Sequence, residues 1–138
     1  MTLKLTLATP EKPLVLDESV ESVILPACDG YVQILPQHAE YKALLGTGGV
    51  QYEKDNALCI IAIHNGFLEV RDNVVKILAD EAEFKENIRT EIFKTALTTA
   101  EESLKRAETQ EDVEKALSAE RKASLWLELV RLGVSSKD

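Results

Sequence analysis

The stretch Ala57-Leu-Cys-Ile-Ile-Ala-Ile-His-Asn-Gly-Phe-Leu-Glu-Val-Arg-Asp-Asn-Val-Val-Lys-Ile-Leu78 decides the fold class of this chain. Its apolar runs are short, and residues that favour tight turns separate them. Asn65-Gly66 supplies the positive φ angles of a type I′ hairpin, and Asp55-Asn56 and Asp72-Asn73 are further turn signals. The stretch therefore predicts consecutive hairpins of short strands with mostly antiparallel pairing.

The residues before this stretch continue the strand pattern. Leu3, Leu5 and Leu7 alternate with polar residues, which is the period of two of a half-buried strand. Further strands are predicted at residues 20–25, 31–35 and 49–53. We interpret the glycine cluster Gly46-Thr-Gly-Gly49 as a turn, because it lacks the lysine of a phosphate-binding loop. Many short strands at this spacing predict a β-sandwich or a β-barrel.

The hydrophobic period changes after Asn87, where apolar side chains begin to recur at steps of three and four residues. This spacing is typical of amphipathic helices. The two predicted inner stripes are Phe93, Leu97, Ala100, Leu104 and Ala107, and Ala116, Ala119, Ala123, Trp126 and Val130. Thr109-Gln-Glu-Asp112 fits a capping box between them. The sequence predicts an antiparallel two-helix hairpin, with helices at about residues 87–107 and 110–132.

Composition divides the chain at the same place. All four prolines lie in the first 36 residues, and no glycine occurs between Gly66 and Gly133. Residues 1–84 contain six basic and 13 acidic residues, a net charge of −7, whereas residues 85–138 contain ten basic and 11 acidic residues, a net charge of −1. We therefore expect two domains, a β domain over residues 1–84 and a helical hairpin over residues 85–138.

Charge and hydropathy exclude several classes of protein. The net charge of −8 and the pI of about 4.8 argue against binding nucleic acid or anionic lipid through bulk charge. The longest unbroken apolar run, residues 57–63, is far shorter than the roughly 18 residues that span a bilayer, so no direct membrane insertion is expected. No signal or transit peptide is readable at the N-terminus.

Signatures of catalysis and of metal binding are not found in the sequence. It has no Gly-x-x-x-x-Gly-Lys loop, no Gly-x-Ser-x-Gly elbow and no His-Glu-x-x-His motif. Cys28, Cys59, His38 and His64 do not have a usual metal-ligand spacing, and the two cysteines favour a reducing compartment. We expect no enzymatic activity, no cofactor and no metal.

Four segments occur in order along the chain: Leu7-Ala-Thr-Pro-Glu11, Asp29-Gly-Tyr-Val-Gln-Ile-Leu-Pro-Gln-His-Ala39, Asn65-Gly-Phe-Leu-Glu-Val-Arg71 and Asn73-Val-Val-Lys-Ile-Leu-Ala-Asp80. Together they resemble the epsilon subunit of bacterial F-type ATP synthase, and the resemblance covers essentially the whole chain. It implies an antiparallel β-sandwich of about ten short strands followed by a helical hairpin. It also implies a non-catalytic rotor subunit that couples c-ring rotation to ATP synthesis.

The resemblance implies the partners and the contact residues as well. In that family the sandwich contacts the gamma subunit and the c-ring, through a loop that usually reads Glu-Gly-Glu-x-Gly-Ile-x-Pro-x-His-Ala. The c-ring contact is therefore carried over to Gly30, Tyr31 and His38. Tyr31 replaces the second acid of the motif and Gln33 replaces a glycine. A tyrosine can still bury its ring and form a hydrogen bond at an interface.

The helical hairpin is expected to restrain ATP hydrolysis. Its alanine-rich seam removes little apolar area from water, so we expect the hairpin to be marginally stable alone and its docking onto the first part of the chain to be reversible. An opened hairpin would place Arg121, Lys122 and Arg131 against acidic surface of the alpha and beta catalytic subunits. The other interpretation of these cations is a solvated helix face with weak ion pairs.

Some members of the family bind ATP on the hairpin through an Ile/Leu-Asp-x-x-Arg-Ala motif. The matching stretch here is Ile88-Arg-Thr-Glu-Ile-Phe93, in which Arg89 replaces the aspartate and Ile92 replaces the arginine. A hydrogen-bond acceptor and a charged phosphate donor are both lost. The sequence therefore predicts no ATP site of that kind.

The resemblance also implies a location. The protein would be peripheral at the cytoplasmic face of the bacterial inner membrane, as part of the ATP synthase complex. The alternative is a free-standing β-sandwich adapter whose helical pair binds a partner helix. Co-purification distinguishes the two, because only a rotor subunit requires a complex with gamma and c subunits.

Overall fold

The computed structural model describes residues 2–135, with side chains as far as Arg131. It divides into two compact units, with the boundary between Phe84 and Lys85. The first unit consists of β-strands and the second of helices. The fold class predicted from the sequence, a β-sandwich followed by a helical hairpin, is confirmed.

Seven strands form the described part of the first unit. They are β1 (Leu3–Ala8), β2 (Pro13–Val20), β3 (Ser22–Ala27), β4 (Gly30–Ile34), β5 (Tyr41–Lys54), β6 (Ala57–Arg71) and β7 (Val74–Phe84). Their order in the sheet is β2-β1-β7-β6-β5-β3-β4. Neighbours are antiparallel except for β1 and β7, which pair in parallel.

The expectation of about ten short strands is wrong in number because three of the strands are long. β5, β6 and β7 are 14, 15 and 11 residues long. The predicted hairpin at Asn65-Gly66 does not form, because β6 includes both residues and continues beyond them in the same direction. Pairing with β5 keeps one register across that point, with Thr47 opposite His64 and Leu45 opposite Gly66. Asn65 has a φ of 57° and interrupts the pairing locally without reversing the chain.

Gly66 is needed for a close approach of backbones. A Cβ atom at this position would collide with the carbonyl oxygen of Leu78 and would lie 3.0 Å from Cα of Ala79, both in β7. The glycine cluster Gly46-Thr-Gly-Gly49, predicted as a turn, likewise lies inside β5. Gly66 therefore permits two backbones to approach each other, whereas the cluster is part of a strand. Composition cannot distinguish these uses of glycine from a turn.

The reversals of the long strands occur at the other two turn signals, which are confirmed. Asp55-Asn56 joins β5 to β6, with φ angles of 52° and 64°. Asp72-Asn73 joins β6 to β7, with φ angles of 51° and 64°. Two consecutive positive φ angles between paired strands define a type I′ turn, and Asp and Asn tolerate this conformation better than most residues.

The sheet closes around its core at the passage from β2 to β3. Residues 20–25 were predicted as one strand, but the chain bends at Glu21, so that β2 pairs with β1 while β3 pairs with β5. The Glu21 N–H donates to the carbonyl oxygen of Glu53 at 2.8 Å, and Lys54 Nζ lies 3.0 Å from Glu18 Oε1. The largest fully buried side chains are Leu3, Leu5, Leu7, Leu25, Ile34, Ile61, Ile63, Leu68 and Ile77.

The second unit begins with a short 3-10 turn over Lys85–Asn87, followed by α1 (Thr90–Arg106) and α2 (Gln110–Ser135). The first helix was predicted to begin near residue 87. It begins at Thr90 because Arg89 is extended, with φ −90° and ψ 108°. The predicted cap of the second helix is confirmed, since the Asp112 N–H donates to Thr109 Oγ1 at 3.1 Å.

The predicted inner stripes are buried or half-buried with one exception. Ala100, Ala116, Ala123 and Trp126 are buried, whereas Ala119 is exposed. Phe93 and Trp126 join the two helices through their rings, whose centroids lie 5.2 Å apart. Aromatic contact therefore supplements the alanines, which have little apolar area to bury.

We expect Gly66→Ala to lower the free energy of unfolding by about 1–3 kcal/mol, because the β7 backbone must shift to admit the new methyl group. Gly46→Ala is the matched control, since a Cβ there would meet nothing within 4 Å. Its effect should stay within about 0.5 kcal/mol. Urea denaturation of both variants measures the difference, and equal destabilisation would contradict the proposed role of Gly66.

Candidate functional site

Gly30 and Tyr31, predicted contact residues, open strand β4. Gly30 has a φ of 130°, a conformation that favours glycine, and it pairs with Ala27 across the Cys28-Asp29 turn. The Cys28 N–H donates to the carbonyl oxygen of Leu44 at 3.0 Å, which ties this turn to β5. The β3–β4 hairpin therefore presents Tyr31 from a hydrogen-bonded base.

The Tyr31 side chain is held by glycines of the neighbouring part of β5. The Gly49 N–H donates to Tyr31 Oη at 3.2 Å. A Cβ atom on Gly48 would collide with the same oxygen and would lie 3.2 Å from Cβ of Pro26. Tyr31 is nevertheless 57% exposed, so its ring is both fixed and available to a partner.

His38 lies in the connection between β4 and β5. The Leu35-Pro36-Gln37-His38 segment has the features of a type II turn: proline in second place, a φ of 67° at Gln37, and a hydrogen bond from the His38 N–H to the carbonyl oxygen of Leu35 at 3.1 Å. His38 itself is exposed. The turn therefore places its imidazole at the surface just beyond the end of β4.

The imidazole of His38 is oriented by two contacts. Nδ1 lies 2.7 Å from the carbonyl oxygen of Ala39, and the ring centroid lies 5.9 Å from that of Tyr41. A carbonyl oxygen can only accept, so Nδ1 carries the proton in this hydrogen bond. In the neutral ring, Nε2 is then the acceptor that remains for a partner.

The three predicted contact residues are not gathered at one point. Gly30 and Tyr31 begin β4, whereas His38 follows its last residue, Ile34, by four positions. A five-residue strand is about 16 Å long. A partner that touches both ends of this set must therefore cover the length of β4.

The predicted cations of the hairpin have different surroundings. Arg121 and Arg131 are exposed. Lys122 is half-buried, with Nζ 4.9 Å from the ring centroid of Trp126 and 5.7 Å from that of Phe93. Cation–π attraction of this kind contributes about 0.5–1 kcal/mol at exposed sites. Lys122 therefore packs within the hairpin, while the two arginines remain available to a partner.

The stretch that replaces the ATP motif spans the start of the first helix. Arg89 is exposed and forms no side-chain capping hydrogen bond, and Ile92 is 55% exposed. Thr90 and Lys94 contribute to a cleft of about 480 Å³ whose second-helix side includes Glu128 and Arg131. The absence of an ATP site remains a prediction from the sequence.

The sandwich also carries an apolar surface that was not predicted from the sequence. Leu44, Phe67 and Leu78 lie directly opposite one another on β5, β6 and β7. They are 65%, 40% and 60% exposed, respectively. Contiguous exposed apolar side chains are typical of surfaces that another protein covers. Each residue belongs to an apolar run in the sequence, but only the strand register shows that the three meet.

Residues 2–135 contain no cluster of three or more His, Cys, Asp or Glu side chains that could hold a metal ion. Cys28 is exposed and Cys59 half-buried, both as free thiols. His64 is buried, with Nδ1 2.8 Å from Thr47 Oγ1. Neither described helix is long and apolar enough to cross a membrane.

Comparison with known proteins identifies the class. Residues 2–85 match the family described as the β-sandwich domain of the ATP synthase delta/epsilon chain. The ATP synthase epsilon chain of Solibacter usitatus is 39% identical over 126 residues, which cover 91% of this chain and 93% of that one. That of Herpetosiphon aurantiacus is 35% identical over 132 residues, 96% of each chain. The chain belongs to the ATP synthase epsilon-chain family, which confirms the resemblance found in the sequence.

Solved structures share the fold at lower identity. A chain in the mitochondrial ATP synthase of Euglena gracilis, in a structure of OSCP, F1 and c-ring, has a TM-score of 0.72 at 21% identity. The alignment covers 99% of this chain and 82% of that one. A chain in the central stalk and c-ring of the Tetrahymena thermophila enzyme also has a TM-score of 0.72, at 15% identity, with 94% and 97% covered. Both alignments cover the β unit and the helical unit together.

We expect Gly48→Ala to displace the Tyr31 ring and to lower the free energy of unfolding by about 1–3 kcal/mol. The loss of unfolding free energy caused by Gly48→Ala should be smaller in a Tyr31→Ala background, because the new Cβ then meets only Pro26. Denaturation of the two single variants and the double variant measures this coupling. The same cost in both backgrounds would show that Gly48 does not accommodate Tyr31.

Proposed function

We propose that this chain is a non-catalytic subunit of the central stalk of a proton-translocating F-type ATP synthase. Similarity to ATP synthase epsilon chains over nearly the full length carries the proposal. In this role it couples rotation of the c-ring to ATP synthesis through contacts alone. A β-sandwich suits the task, because its paired strands and close-packed core resist deformation under load.

The partners in this proposal are the gamma subunit and the c-ring. The c-ring contact involves Gly30, Tyr31 and His38, with the ring of Tyr31 as an anchor and Nε2 of His38 as a hydrogen-bond acceptor. The fixed orientation of both side chains supports this, since less conformational entropy is lost when pre-oriented groups bind. The protein would be peripheral at the cytoplasmic face of the bacterial inner membrane, as part of the complex.

The helical hairpin is proposed to restrain ATP hydrolysis by contacting the alpha and beta catalytic subunits. Arg121 and Arg131 are exposed, and their positive charges are suited to contact acidic surface on those subunits. In the closed hairpin Lys122 lies over the ring of Trp126, on the same helix, and over that of Phe93, on the other helix, so separation of the helices removes its contact with Phe93. Opening therefore exchanges this packing for charge contacts with the partner.

Co-purification of the tagged chain tests the overall proposal. Gamma and c subunits should accompany it at constant ratio. A free-standing adapter, the alternative function, would instead bring down a different partner. Recovery of the chain without gamma and c would contradict the stalk role.

We expect Tyr31→Ala and His38→Ala each to weaken c-ring binding at least about fivefold, as the loss of a contact worth about 1 kcal/mol would do. ATP-driven proton pumping by the assembled enzyme should fall relative to its ATP hydrolysis. Leu58→Ala is the matched control, since Leu58 is 52% exposed but lies beside the Asp55-Asn56 turn. Unchanged pumping with both Tyr31→Ala and His38→Ala would refute this contact.

We expect Arg121→Ala and Arg131→Ala each to raise ATP hydrolysis by the assembled enzyme about two- to fivefold, since an exposed ion pair contributes up to about 1 kcal/mol. Removing all residues after Phe84 should give the largest increase in ATP hydrolysis. Lys115→Ala is the control, because Lys115 is a cation of the same helix that pairs with Glu111 at 3.6 Å. Unchanged hydrolysis after truncation would contradict the regulatory role.

A further inference from the structure

Two turns that are distant in the sequence are joined by one short hydrogen bond. The backbone N–H of Gln37, in the turn before β5, donates to Oδ1 of Asn73, in the turn between β6 and β7, at 2.6 Å. The two residues are 36 positions apart. Both turns contribute to a cleft of about 410 Å³, in which the charged side chains are Glu40, Arg71 and Asp72.

The backbone of Gln37 adopts a conformation that is unfavourable for this residue type. Gln37 occupies the third position of a type II turn with a φ of 67°. That position favours glycine or asparagine, because other side chains crowd the backbone at positive φ. Such strain persists only where surrounding contacts hold the residue in place. The hydrogen bond to Asn73 is a contact of this kind.

The Asn73 side is fixed by the sheet. Arg71 pairs with Val74 across the turn, and the carbonyl oxygen of Asn73 accepts the N–H of Lys4 from β1 at 2.9 Å. Asn73 is half-buried, with a φ of 64°. Three strands therefore determine where Oδ1 lies, and the loop before β5 is fastened to that point.

We propose that Asn73 is a positioning residue for His38, and this rests on the proposed contact between His38 and the c-ring. His38 directly follows Gln37, and its N–H and Nδ1 bond only to its own loop, at Leu35 and Ala39. The Gln37–Asn73 hydrogen bond therefore ties the loop to the sheet at the residue before His38, in addition to the ring contact of His38 with Tyr41 at the start of β5. In this role Asn73 acts through His38.

Three variants of the full-length chain separate the hydrogen bond from the turn. Asn73→Gly keeps a residue that adopts positive φ but removes the acceptor, Asn73→Asp keeps an acceptor oxygen, and Asp72→Gly alters the neighbouring position. We expect exchange of the Gln37 amide proton to be at least tenfold faster in Asn73→Gly. It should stay within about threefold of the unmodified chain in the other two.

The same variants are then assembled into the complete ATP synthase with His38→Ala as reference. Asn73→Gly should reduce proton pumping in the same direction as His38→Ala, Asn73→Asp should restore it, and Asp72→Gly should leave it unchanged. Loss of pumping with His38→Ala but normal pumping with Asn73→Gly would overturn the positioning role. Normal pumping with His38→Ala would instead overturn the proposed c-ring contact, while the amide exchange would still report on the hydrogen bond.

The proposal can also be tested without variants, in case one of them fails to fold. In the unmodified chain, the Gln37 amide should exchange at least tenfold more slowly than in an unstructured peptide of residues 33–41. Exchange at the peptide's rate would overturn the proposal, because Asn73 would then not hold the loop.

Discussion

The close approach of β7 to Gly66 is the constraint on which the sandwich depends. Because no Cβ stands between the two backbones, β6 stays paired with both neighbours through the irregular residue Asn65. A side chain at position 66 would force β7 away and would interrupt the pairing of three long strands at their middle. The buried side chains on either side of this point would then no longer meet across one continuous core.

The two units of the chain are stabilised by different means. The sandwich buries large aliphatic side chains, which contribute about 1.5–3 kcal/mol each when fully buried. The hairpin buries mainly alanines and one tryptophan, supplemented by the Phe93–Trp126 contact and by Lys122 over both rings. This difference is consistent with the proposal that the first unit transmits torque and that the helices of the second can separate. The uneven charge of the two halves is consistent with that division.

The candidate interface residues owe their orientation to small neighbours and to local hydrogen bonds. Tyr31 lies over Gly48 and is held by the N–H of Gly49, and His38 is oriented by the carbonyl oxygen of Ala39. Only the residues themselves are evident from a motif. Tyr31 is held by another strand, so its geometry depends on strand register, whereas His38 is held within its own loop.

The sequence by itself determined the fold class, the change from strands to helices, the Asp-Asn turns and the Thr109 cap, because each follows from local periodicity or from the conformational preference of one or two residues. Its ordered motifs determined the family as well. Tertiary structure decided that the glycines at positions 46–49 and 66 lie within strands and not in turns, and it set the number of strands. It also decided that Leu44, Phe67 and Leu78 are neighbours on the surface. The physical reason is that a glycine can adopt a turn, continue a strand or admit a neighbouring group closely, and only the surrounding strands select among these.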